Sequence, residues 1–135
     1  MELQVGVKIL LKNKEGKYLI VRRSSLKYPE VGSKWDIVGG RIDKGTGLIE
    51  NLRREVKEET GLEITSEPEL LDAQDILRVE GKHIVRLTYV GEADGEIVLS
   101  DEHDEYKWAT LEEIFSTEPM DIYFKKILEK FYAQK

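Results

Sequence analysis

Apolar and polar residues alternate along this chain in short runs separated by turn residues, and the period lengthens to that of a helix mid-chain and near the end. Val5 to Leu11 and Tyr18 to Arg23 flank Asn13-Lys14-Glu15-Gly16, whose Asn and Gly suit a turn and predict an opening hairpin. Lys27 to Ser33, with Pro29 and Gly32, reads as a loop ahead of a strand over Trp35-Asp36-Ile37-Val38, which Gly39-Gly40 breaks. Thr46 to Thr60 reads as a helix ended by Gly61. After Leu62 to Thr65 come a turn at Ser66-Glu67-Pro68 and a strand from Leu70 to about Val79. His83–Val90 and Glu96–Leu99 surround Asp94-Gly95, a second hairpin signal. Ser100 to Glu105 reads as an acidic loop before a short strand at Tyr106–Ala109. Thr110 is expected to cap a short helix holding Leu111, Ile114 and Phe115. A final helix from about Met120 to Tyr132 would present Ile122, Tyr123, Ile127, Leu128 and Phe131 as its apolar stripe. Strands dominate, so the pattern predicts an α+β fold, a mixed sheet between helices in an α/β/α sandwich. No repeat or linker divides it, and residues 1–135 are expected to form a single domain.

Composition narrows the function classes. Lys and Arg number 21 against 27 Asp and Glu, a net charge of −6, which argues against bulk nucleic-acid binding. An acidic chain can still hold a polyphosphate if a divalent cation sits between the two sets of negative groups. With no Cys, disulfides, thiolate catalysis and Cys-based zinc sites are excluded. Val5–Leu11 contains Lys8, is too short to span a membrane, and lacks the flanks of a signal peptide. No membrane association is expected, and a cytoplasmic location is the default.

The mid-chain helix carries the candidate chemistry. At about 100° per residue, Leu48, Leu52 and Val56 form one apolar stripe, with Ile49 at its edge. Glu59 falls about 20° from Leu52, Glu55 about 60° away on the same side, and Glu58 a further 60° or so round. A carboxylate beside the core-facing stripe loses hydration and must be paired or bind a cation. A hard divalent ion is the simplest remedy for three crowded carboxylates, since magnesium prefers oxygen ligands. The alternative is a solvated face on which Arg53, Arg54 and Lys57 neutralise them. The Gly-rich turn ahead of the helix favours a ligand site, because the Gly40 backbone can approach one closely and its carbonyl can supply another oxygen.

From Gly40 to Leu62 the sequence resembles the Nudix box, with Gly40, Arg54, Glu55, Val56, Glu58, Glu59, Gly61 and Leu62 at the required spacing. It departs at Thr46, where the family has Glu, and at Val38, where a Pro often precedes the paired glycines. Thr is a good N-cap, so the helix start is expected there. The opening hairpin, Trp35 ahead of the glycines and the run Glu102-His103-Asp104-Glu105-Tyr106-Lys107-Trp108 also look like the family, so the resemblance covers nearly the whole chain.

The resemblance implies a Nudix fold and attack of water on phosphorus in a nucleoside diphosphate linked to another moiety. Such chemistry requires charge neutralisation on the phosphoryl group and an oriented, deprotonated water. The similarity implies Glu55 and Glu59 as leading ligands of Mg2+, with Mn2+ as a substitute, and Glu58 and the Gly40 carbonyl as further ligands. Arg54 would orient Glu55 through a salt bridge. A helix glutamate or an acidic residue of the Glu102–Glu105 loop, with Glu105 the candidate, would act as general base. His103 is expected to be a loop residue and His83 a strand surface residue. Of Arg22 and Arg23, Arg23 is the candidate for substrate phosphate, and Trp35, Tyr28 or Tyr89 for stacking on a base. The partner is a small-molecule nucleotide: a nucleoside triphosphate, a dinucleoside polyphosphate or a nucleotide sugar. An ADP-ribose substrate is disfavoured because Ile76-Leu77-Arg78 lacks the proline of that subgroup. A homodimer is a further expectation of the similarity. Two other readings stay open, a non-catalytic nucleotide sensor on this fold and a different chemistry such as isomerisation.

Overall fold

The structure is a computed structural model that describes residues 1–27 and 33–133. Among these residues the elements run β1 (Glu2–Lys12), β2 (Tyr18–Arg23), β3 (Trp35–Asp36), β4 (Val38–Arg41), α1 (Leu48–Thr60), β5 (Glu63–Ile64), β6 (Glu69–Ile76), β7 (Lys82–Asp94), β8 (His103–Ala109), α2 (Leu111–Phe115) and α3 (Ile122–Tyr132). The opening turn forms as its residues suggest. The Asn13 carbonyl accepts from the Gly16 amide at 3.0 Å, and its side-chain oxygen accepts the amides of Glu15 and Lys17.

Strand β1 organises the mixed eight-stranded sheet. One edge lies parallel to β7 over its whole length, from Glu2 opposite Lys82 to Lys12 opposite Glu92. The other edge is shared: β2 pairs where Lys12 faces Tyr18, and β4 takes the stretch from Gly6 to Ile9. Strand β2 continues beside β3 and β8. The sheet therefore splits next to Gly39-Gly40, and the helix that follows β4 starts from that split.

Both faces of the sheet are covered, as the expected sandwich requires. Val7, Ile9 and Leu11 of β1 and Leu19 and Val21 of β2 face Leu52 and Val56 of α1. Leu10 and Ile20 face the other way, toward Ile114 of α2 and Phe124, Ile127 and Leu128 of α3. Thr110 caps α2 in a capping box with Glu113. Gly61 ends α1 with φ 76° and donates its amide to the Lys57 carbonyl.

Several expectations are corrected. The paired glycines do not break a strand; they lie inside β4 and pair with β1. A Cβ at Gly39 (φ 150°) would fall 2.0 Å from the Val7 carbonyl oxygen, so this close pairing needs glycine. Thr46 does not cap α1. Gly47 occupies that position without a side-chain bond, and the Thr46 amide closes a turn onto the Asp43 carbonyl at 3.0 Å.

Nor does Asp94-Gly95 close a hairpin. The chain turns there, but the returning segment docks on helix α1, with Val98 donating to the Thr60 carbonyl and Ser100 to the Glu59 carbonyl. These carbonyls have no partner inside the helix, and that need outcompetes strand pairing. The second hairpin is instead formed by β6 and β7, and β6 stops at Ile76, short of Val79. On α3 the buried residues are Tyr123, Phe124, Ile127 and Leu128, while Ile122 and Phe131 stay largely exposed.

Candidate active site

The carboxylates of α1 are buried in the order that their helical angles dictate. Glu59 retains 4% of its side-chain exposure, Glu55 17% and Glu58 57%. Glu59 and Glu55 are linked by a side-chain hydrogen bond, and burial followed by that bond pushes the Glu59 carboxyl well above the usual carboxylate range. Two carboxylates so close must share either a proton or a cation. The Gly40 backbone abuts Glu55: a Cβ there would lie 3.1 Å from Glu55 Oε2. A cleft of about 440 Å³ opens over this point and includes Gly39, Gly40, Glu55, Glu58, Glu59 and Arg23 in its walls.

Helix α1 is fixed to the turn before it by buried Asn51. The Asn51 Oδ1 accepts from the Asp43 amide at 3.1 Å and from Arg54 Nη2 at 2.8 Å. Arg54 Nη2 also meets Asp43 Oδ2 at 2.8 Å, and Nη1 meets Glu58 at 3.3 Å. Its distance to Glu55 is 3.7 Å, an ion pair longer than a hydrogen bond. Arg54 thus ties loop, Glu58 and Glu55 together, rather than serving Glu55 alone.

A second wall comes from the segment tethered to the end of α1. It brings Glu102 and His103 to the cleft. His103 opens β8 rather than lying in a loop, and its Nδ1 sits 3.6 Å from Glu59 Oε1. Burial, then the charges of Lys8 and Arg23, pushes the His103 imidazole down to about 4, so the ring is neutral near pH 7. Glu105 is placed elsewhere. It pairs with Arg22 across the β2–β8 register at 3.1 Å and does not line the cleft. Glu102 precedes β8, and a register shift against Arg22 and Arg23 falls between His103 and Glu105, so the two acids do not share a face.

Sequence reasoning missed Lys8, whose apolar surroundings suggested only a strand interior. Its buried ammonium bonds Asp36 Oδ2 at 3.0 Å and the Ile37 carbonyl at 3.1 Å beside the cleft. Trp35 packs against the core on the α3 side, with the Arg22 guanidinium 5.9 Å from its ring, and does not line the cleft. Tyr89 is buried in the core under α1. Tyr28 lies outside the described residues. His83 is on β7, bonded to Asp75 at 2.7 Å.

Among the described residues no three or more His, Asp or Glu side chains converge as a metal cluster. The donor set nevertheless suits a hard divalent ion. Glu55 and Glu59 present closely set oxygens, Gly40 adds backbone, and Glu58 stands at the rim, turned to Arg54. No helix among these residues is long and apolar enough to cross a membrane.

Comparison with known proteins bears on the family and the fold. The NUDIX domain family matches residues 2–131. The MutT protein of Methanosarcina mazei Go1 superposes with a TM-score of 0.83 at 32% identity, over 96% of this chain and 93% of that one. A MutT NUDIX hydrolase from Burkholderia pseudomallei gives 0.81 at 24% identity, over 97% and 99%. An RNA pyrophosphohydrolase from Bartonella bacilliformis is 43% identical over 60 residues, 42% of this chain, and the matched segment spans only 35% of that relative's length.

Proposed function

Because the chain belongs to the Nudix family of hydrolases acting on phosphoanhydride bonds, we propose that it cleaves the pyrophosphate linkage of a small nucleotide, with Mg2+ held at the end of α1. The observation that supports this most directly is the buried Glu55–Glu59 pair facing the Gly40 backbone inside an open cleft. Crowded, buried acids are costly, and a cleft is where such a cost serves a ligand. Magnesium, when bound, neutralises charge on the phosphate oxygens. Mn2+ shares that oxygen preference.

Glu55, Glu59 and the Gly40 carbonyl would hold the ion, and Glu58 would join them on release from Arg54. Arg54 remains bonded to Asp43 and Asn51 and keeps the helix in register with the glycine turn. Arg23, on the cleft wall, offsets phosphate charge. Glu102 replaces Glu105 as the loop acid placed to take the proton of the attacking water, because it alone of the two faces the cleft. Water oxygen bonds phosphorus, the bridging P–O bond breaks, and the departing phosphate oxygen carries the electron pair away. The relative named an RNA pyrophosphohydrolase makes a pyrophosphate carried by RNA a further substrate class to test.

A panel of nucleoside triphosphates, dinucleoside polyphosphates and nucleotide sugars, assayed with and without magnesium, tests the proposal. Magnesium-dependent turnover of at least one is expected, with Glu59→Gln inactive, Glu102→Gln slowed about 10²- to 10⁴-fold and Glu105→Gln close to wild type. Tight nucleotide binding without turnover across the panel would make the chain a sensor instead.

A further inference from the structure

The cleft over Glu55 and Glu59 shares Lys8, Arg23, Gly39, Gly40 and Arg41 with the wall of a second cleft of about 250 Å³. That cleft in turn shares Arg41 and Arg86 with a hollow of about 180 Å³ lined by Lys34 and Arg78. The lining charges are lopsided. Among the described residues, Lys8, Arg23, Lys34, Arg41, Arg78 and Arg86 stand against two carboxylates, Asp36 and Asp121, in a chain whose net charge is −6. Both carboxylates are already committed, Asp36 to Lys8 at 3.0 Å and Asp121 to Arg86 at 2.7 Å. Arg41 bonds the neutral side chain of Gln4, and Arg78 lies over the Tyr123 ring at 5.3 Å.

A hollow that concentrates positive charge attracts anions, and guanidinium groups suit phosphate oxygens. It is poorly made for a neutral base. Its apolar wall among the described residues is aliphatic (Ile76, Val79 and Ile84), and the Tyr123 ring beside Arg78 and Arg86 is covered by both.

We infer that the substrate carries a second phosphate, separate from the scissile pyrophosphate, and that Arg41 and Arg78 receive it in this basic hollow. The substrate class is then a nucleotide phosphorylated on its sugar as well as at its 5′ position. The inference rests on the reading of the neighbouring acidic cleft as the hydrolytic site.

Calorimetric titration in magnesium tests it without requiring turnover. Adenosine 3′,5′-bisphosphate and adenosine 2′,5′-bisphosphate are compared with AMP, and the 5′-phosphorylated adenylyl dinucleotide shows whether a phosphodiester serves as well as a phosphate monoester. At least one bisphosphate or the dinucleotide is expected to bind at least tenfold more tightly than AMP, with the advantage shrinking as salt rises. Arg78→Glu, with its circular dichroism checked against wild type, should bring the affinities together. Equal affinities in the wild-type protein, or an advantage that survives Arg78→Glu and Arg41→Glu alike, would overturn the inference. If the advantage is found but no nucleotide is hydrolysed, the proposed activity fails while the second phosphate site stands.

Discussion

Replacing Asp121 by Asn isolates the charge that anchors the last helix to the sheet. The buried carboxylate accepts the Phe124 amide at 2.9 Å, capping α3, and Arg86 Nη1 at 2.7 Å. Burial alone pushes this carboxyl up, but the Arg86 charge, the Phe124 amide and Lys8 together outweigh it and hold the group below the ordinary Asp range. Asparagine keeps an acceptor for the cap and removes only the charge. Breaking a fully buried pair costs about 3–5 kcal/mol. Arg86 retains 15% exposure beside a cleft, so water relieves part of that, and about 2 kcal/mol is expected for Asp121→Asn. Asp121→Ala also removes the cap, worth about 1 kcal/mol more. Urea unfolding at pH 7 should show midpoints lowered by roughly 1 M for the Asn variant, at an unchanged slope. The sign of the pH dependence is fixed. A group with a depressed folded pKa stabilises fully above its unfolded value, about 3.9, and loses that contribution as pH falls through the folded value. The gap between wild type and Asp121→Asn should therefore hold from neutral pH to about pH 4 and close below it. An Asn variant within about 0.5 kcal/mol of wild type at pH 7, or a gap that ignores pH, would refute the reasoning.

The adjacent glycines should respond differently to the same methyl group. Gly39→Ala drives a Cβ to 2.0 Å from the Val7 carbonyl oxygen and should abolish accumulation of folded protein, whereas Gly40→Ala, 3.1 Å from a Glu55 oxygen, should leave the melting temperature nearly intact and lower magnesium-dependent turnover. Phe124→Ala should cost about 3–5 kcal/mol and Phe131→Ala under about 1, by thermal or urea unfolding, because only the first ring is enclosed.

The sequence was most legible where local chemistry decides the outcome. Asn13 and Gly16 close their turn, Gly61 stops its helix, Thr110 caps the next, and the wheel orders Glu59, Glu55 and Glu58 by burial. It was less legible where distant segments compete. Gly39-Gly40 carries the composition of a break, yet the adjacent edge of β1 recruits it as a strand. Gly95 turns the chain as expected, but the unsatisfied carbonyls at the end of α1 capture the residues from Val98 to Ser100. That capture positions Glu102 and His103 over Glu59, which acidity alone could not distinguish from Glu105. On α3, Ile122 and Phe131 are as apolar as Phe124, and only the extent of the sheet beneath them decides which is covered. The basic hollow joins residues from strands far apart in the chain, and no spacing in the sequence announces it.

The parallel pairing of β1 with β7 has a consequence for how the molecule is made. The two strands lie about eighty residues apart in the chain, so most of one edge of the first strand stays unmatched while everything between is synthesised. An apolar segment emerging from the ribosome then lacks its parallel neighbour until the seventh strand is released. Contacts of such long range make folding slow relative to chain length. A nascent chain stalled before residue 82 should therefore be far more prone to self-association than one released after residue 94.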